Sequence, residues 1–113
     1  MNVELDIYSG RPNPTWTLSS QDGDSFDSKL AALPAAQPST LPNPLGYRGF
    51  IVRTRRGDDE TRSVVQQGHV QSTRGQATTF RSDPDRALER WLLDTGRVAL
   101  PPDVVQAVEN ALR

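Results

Sequence analysis

Asn13 stands between two prolines, in the run Ser9-Gly10-Arg11-Pro12-Asn13-Pro14-Thr15-Trp16, and with Arg11 it forms the most distinctive recognition element of the chain. Arg11 and Asn13 each precede a proline, which pushes both towards extended or polyproline geometry. Pro12 and Pro14 lack an N–H and hold φ at about −65°. The loop therefore cannot extend a β ladder through Pro12 and Pro14. It is a stiff bend that offers a guanidinium and an amide with little entropy left to lose on binding. Arg11 supplies charge and directed donors, Asn13 a bidentate amide, and Trp16 apolar contact area. A purely structural role is the competing account: Arg11 pairs with Asp6 or Glu89, Asn13 caps the loop backbone, and Trp16 lies in the core.

A second candidate is Leu45-Gly46-Tyr47-Arg48-Gly49-Phe50. Its two glycines permit close approach of a ligand or of another backbone. Tyr47 and Arg48 could then stack on and clamp an anion. The spacing of a phosphate loop and that of a dinucleotide fingerprint are both absent. Structurally, the glycines need only relieve crowding where a sheet twists.

His69 is the only histidine. With an ordinary pKa of about 6.5 it could act as a general base, and Arg11 or Arg48 could then stabilise an oxyanion. It stands mid-strand beside Gly68, where a solvated histidine is the plainer reading. No nucleophile elbow and no Ser-x-x-Lys motif is present. Ser9 could join His69 and Asp6 only through the fold, since no spacing supports it. Asp22, Asp24 and Asp27 surround Gly23, but the EF-hand positions do not match, and a helix N-terminus explains these charges better. Asp58, Asp59 and Glu60, flanked by Arg55, Arg56 and Arg62, read as a solvated hairpin tip.

The composition narrows the classes. The chain has 113 residues, no Cys, and a net charge of −1. Thiolate metal sites, disulfides and a Cys nucleophile are thereby removed. No metal and no cofactor is expected. The charge balance argues against nonspecific binding to duplex nucleic acid, and the acidic residues beside Arg48, Arg53, Arg55 and Arg56 weaken a single-strand reading of Tyr47 and Phe50. Met1–Gly10 lacks the apolar run of a signal peptide, and no stretch approaches a membrane span. The expectation is a soluble cytoplasmic protein. All basic residues but Lys29 are arginine, which suits planar recognition of anions and equally reflects a GC-rich, bacterial-type composition.

These candidates are positioned by a pattern of the order β-β-α-β-β-β-α-α. Val3, Leu5 and Ile7 alternate with Glu4, Asp6 and Tyr8, as in a half-buried strand. Trp16 and Leu18 continue the alternation on a short second strand. Ser19 or Ser20 caps a helix with Phe26, Leu30 and Leu33 on one stripe, and Pro34 stops it. Residues 34–45 hold four prolines and form a long surface connection within one domain, 1–113. Three strands follow: Gly46 to Thr54, Ser63 to Ser72 with a bulge or close approach at Gly68, and Gln76 to Arg81. A charged loop, Arg55 to Arg62, joins the first two. Asp83-Pro84 opens a helix with Pro at its first position, Gly96 ends it, and Pro101-Pro102 opens the last. The fold class is α+β: a mostly antiparallel sheet of four to five strands with three helices packed on one face.

The leading functional reading is a small non-catalytic binding module. It would recognise a partner protein, a peptide or a small anionic ligand through Arg11, Asn13, Trp16, Tyr47 and Arg48. The alternatives are a cofactor-free hydrolase, cyclase or isomerase using His69 with Arg11 or Arg48, and an assembly subunit joined through a sheet edge or the C-terminal helices. Oligomeric state is left open by the sequence, with a homodimer compatible.

Overall fold

The computed structural model describes residues Met1–Arg113. Strand β1 (Asn2–Leu5) buries Val3 and Leu5 and leaves Glu4 on the opposite face, as its alternation requires. Strand β2 (Thr15–Thr17) returns antiparallel to it, Val3 opposite Trp16. Helix α1 (Ser20–Ala31) begins at the Ser19 side chain, which accepts from the Asp22 amide, and turns Phe26 into the core.

Four strands then run as a meander of tight hairpins: β3 (Phe50–Arg56), β4 (Asp59–Gln66), β5 (His69–Arg74) and β6 (Ala77–Ser82). The full sheet order is β2-β1-β3-β4-β5-β6, antiparallel throughout. It has six strands where the sequence pattern suggests four to five. The difference lies at Gly68, which is not a bulge. Gln67 and Gly68, at φ 50° and 81°, form a two-residue turn between Gln66 and His69. Two successive positive φ angles match the twist of the flanking strands, but glutamine in place of the usual Asn or Asp hides the turn in the sequence. The expected charged loop Arg55 to Arg62 is also mostly ladder: Arg56 opposes Asp59, and only Gly57 and Asp58 are unpaired.

The helices α1, α2 (Ala87–Gly96) and α3 (Pro102–Ala111) cover one face of the sheet. Phe26, Leu88, Leu92, Leu93, Val104 and Val108 pack with Val3, Leu5, Phe50, Val52, Val65 and Val70 in a single core. Each such side chain contributes roughly 1.5–3 kcal/mol on burial. Gly96 is required by packing: a Cβ there would stand 2.4 Å from the Trp16 ring.

The start of α2 departs from the expected cap. Pro84–Arg86 is a 3-10 turn, with Asp85 and Arg86 both left-handed at φ 59° and 56°. The helix proper begins at Ala87. Asp83 still caps it, from farther back: its two carboxylate oxygens accept from the amides of Leu88 and Glu89. Between α1 and β3, the proline-rich segment first lies along the edge of β6, where the Ala36 amide donates to the Phe80 carbonyl. It then reaches Gln66, whose side chain donates to the Pro42 carbonyl. No helix is long and apolar enough to cross a membrane.

Candidate functional site

The 6–14 loop and the 44–49 turn meet at one end of the sheet. The Asp6 amide donates to the Gly49 carbonyl and the Arg48 amide to the Asp6 carbonyl, so the two loops prolong the β1–β3 pairing beyond the regular ladder. Gly49 is the residue that permits this. At φ 90°, a Cβ there would lie 2.3 Å from the Val65 carbonyl oxygen.

Asn13 organises the bend from within. Its side-chain carbonyl accepts from the amides of Ile7 and Tyr8, at 3.1 and 2.8 Å. Its NH2 group donates to Glu4 at 2.8 Å and to Asp6 at 3.4 Å. Two lone pairs and two N–H groups are the whole capacity of this amide, so the chain itself saturates it. The arrangement also ends β1 at Leu5 rather than at Ile7, because Asn13 takes the amides that a longer ladder would use.

Arg48 is likewise engaged, through four of its five N–H groups. Its guanidinium donates to Asp6 at 2.9 and 3.1 Å, to the Tyr8 carbonyl at 3.0 Å and to the Pro44 carbonyl at 3.3 Å. The side chain is only 15% exposed. On the other side, Arg53 donates to Glu4 at 2.7 Å. A continuous polar chain results, from Arg53 through Glu4, Asn13 and Asp6 to Arg48. Within it the Glu4 carboxyl lies below its usual 4.5. The Asn13 hydrogen bond is the main cause and the Arg53 pairing adds to it, while burial opposes both.

Trp16 is buried against Phe50, and its indole N–H donates to the Thr95 hydroxyl at 3.0 Å. The Tyr47 hydroxyl donates to Glu89, a carboxylate with no solvent exposure. Burial pushes the Tyr47 phenol far above its ordinary value, and the adjacent Glu89 charge reinforces this. Glu89 is also held by Arg86 through two parallel bonds of 2.8 and 2.9 Å. The same guanidinium reaches the Ala111 carbonyl at the end of α3. This clamp holds Arg86 in its left-handed conformation, which costs on the order of 1–3 kcal/mol.

Arg11 differs from its neighbours. It is exposed, stands 3.7 Å over the centre of the Tyr8 ring, and has no hydrogen-bond or ion-pair partner. Asp6 and Glu89, the carboxylates within its expected reach, belong to Arg48 and Arg86. His69 lies exposed at the start of β5, opposite Gln66 and Ser82, without a hydrogen-bonded carboxylate. No cleft of the protein is lined by Arg11, Arg48 or His69, and no group of three potential metal ligands occurs.

The structure thus brings Asn13 and Arg48 together in one network, sets Tyr47 and Trp16 beneath it in contact with Phe50, and leaves Arg11 on top. Sequence reasoning missed Tyr8 as the platform and Glu89 as the buried hub. Glu89 follows Arg86 by three residues and is set among Leu88, Leu92 and Leu93, a signal that points to a buried, paired carboxylate. No protein-family description, no curated protein and no solved structure matches the chain.

Proposed function

We propose that this protein is a non-catalytic binding module that takes an anionic group of a partner protein, a peptide or a small ligand on the Tyr8–Arg11 stack. One observation carries the reading. Asn13, Asp6 and Arg48 are engaged internally, whereas Arg11 keeps all its donors free over an aromatic ring on a loop that Asn13 and Arg48 hold in place. A preorganised cation loses little entropy when it meets a carboxylate or phosphate, and its planar fork suits bidentate contact. In this reading Asn13, Arg48, Tyr47 and Trp16 position the contact, and Arg11 and Tyr8 make it.

The test is an NMR titration of the 15N-labelled protein with a hexaglutamate peptide and, separately, with pyrophosphate. Saturable shifts centred on Tyr8, Gly10 and Arg11 are expected, weakening with added salt. Arg11→Ala abolishes them while leaving stability within about 0.5 kcal/mol. Shifts that persist in Arg11→Ala, or no saturable shift with either probe, overturn the reading.

A further inference from the structure

At the opposite end of the sheet α1 overhangs the β3–β4 and β4–β5 strands and encloses a cleft of about 180 Å³. Its floor carries the hydroxyls of Thr54, Thr61 and Ser63, which share the helix-side face with the core residues Val52 and Val65. Ser63 bonds to Ser72 across the strands at 2.8 Å. Thr54 and Thr61 face each other in register, yet neither hydroxyl has a partner in the protein. Two ion pairs stand at the mouth, Arg56 with Asp27 and Arg74 with Asp59. Phe26 and Leu30 supply an apolar wall.

We propose that this cleft is a binding site for one small, neutral polyol of about monosaccharide size. Three features select that class. The lining charges cancel, two arginines against two aspartates, so the cleft has no net attraction for an anion or a cation. The unpartnered threonine hydroxyls both donate and accept, as alcohol groups on a ligand do. The carboxylates and guanidiniums at the mouth present paired acceptors and paired donors, the geometry that grips vicinal hydroxyls. Arg74 and Asp59 are largely exposed, as is Arg56, while Asp27 is half-buried, so opening the Arg74–Asp59 pair towards a ligand sacrifices little. The C–H face of a polyol would rest on Phe26 and Leu30. The volume of about 180 Å³ is below the roughly 300–1,000 Å³ of drug-sized ligand pockets and suits a ligand of monosaccharide size.

The experiment is an NMR titration of the full chain with D-glucose, myo-inositol, glycine and inorganic phosphate in parallel. Saturable shifts at the amides of Thr54, Thr61 and Ser63 with a polyol, and none there with glycine or phosphate, support the site. Thr61→Val keeps a β-branched strand residue and removes the hydroxyl. It should weaken the polyol roughly three- to tenfold with an unchanged melting temperature. Thr54→Val serves as the second variant if Thr61→Val does not fold. No saturable polyol shift at these amides, preferential binding of glycine or phosphate, or unchanged affinity in a folded valine variant overturns the proposal. Arg11→Ala, remote from the cleft, leaves the polyol titration unaltered, so this site and the Tyr8–Arg11 stack fail or stand separately.

Discussion

The two ends of the sheet use the same residue types to opposite effect. Where the 6–14 loop meets the 44–49 turn, Arg48 and Asp6 are 15% and 25% exposed and share their bonds with backbone carbonyls and Asn13. At the other end Arg74 and Asp59 form a pair that is 66% and 59% exposed, with no third partner. Desolvation separates the cases. A half-buried ion pair becomes costly to break, because either partner alone is left without water or counter-charge. An exposed pair is screened and exchanges freely with solvent. The first end is therefore a welded scaffold that presents one free cation. The second retains side chains whose bonds can be re-formed with something else.

The contrast is broken most severely at Glu89. Glu89→Ala leaves Arg86 and the Tyr47 hydroxyl without their buried partner and removes the clamp on a left-handed backbone. A loss of about 3–5 kcal/mol in urea denaturation is expected. A loss under 1 kcal/mol would show that water can replace the carboxylate, and that this end is no tighter than the other.

Asn13→Ala probes the same end with a smaller effect, about 1–3 kcal/mol, since two backbone amides and two carboxylates lose a partner. It also changes the acid limb of the stability curve. In the folded protein Glu4 titrates below its usual 4.5, so the unfolded chain takes up this proton first. The stabilisation is complete above 4.5 and is lost as pH falls through the lower folded value. Urea midpoints measured between pH 7 and pH 2 should drop less steeply in Asn13→Ala than in the parent. An identical slope would assign the lowered Glu4 pKa to Arg53 instead.

Arg74→Ala is the mildest test. It removes one exposed pair and should cost less than about 1 kcal/mol, with any effect fading in 1 M salt. A larger, salt-insensitive loss would mean that the cleft end is as firmly built as the other, erasing the distinction.

Much of the architecture is readable in local pattern. The Val3–Leu5 alternation, the Ser19 cap, the Phe26–Leu30 part of the helical stripe and the Pro101-Pro102 start of α3 appear in the structure, whereas Leu33 lies beyond the end of α1 at Ala31. The strand count was less legible, because the Gln67-Gly68 turn lacks the residues that usually mark one. The left-handed pair Asp85-Arg86 was invisible for a different reason: neither residue favours that conformation alone, and contacts from Glu89, Arg90 and the end of α3 hold it.

The candidate sites were less legible than the fold. The segments were recognisable, since the prolines and glycines impose their geometry wherever they occur. The roles of individual side chains were not. Arg11, Asn13 and Arg48 read alike as unengaged polar groups in the sequence, and only Arg11 remains so.

Residue order alone determined most of the strands and helices and which bend is stiff, because those properties depend on neighbours a few positions away. The assembled fold decided which donors stay free. Asp6 and Arg48, like Tyr47 and Glu89, are 42 residues apart in the chain. A hydrogen bond forms only where packing brings both partners together, so unused capacity is a property of three-dimensional proximity.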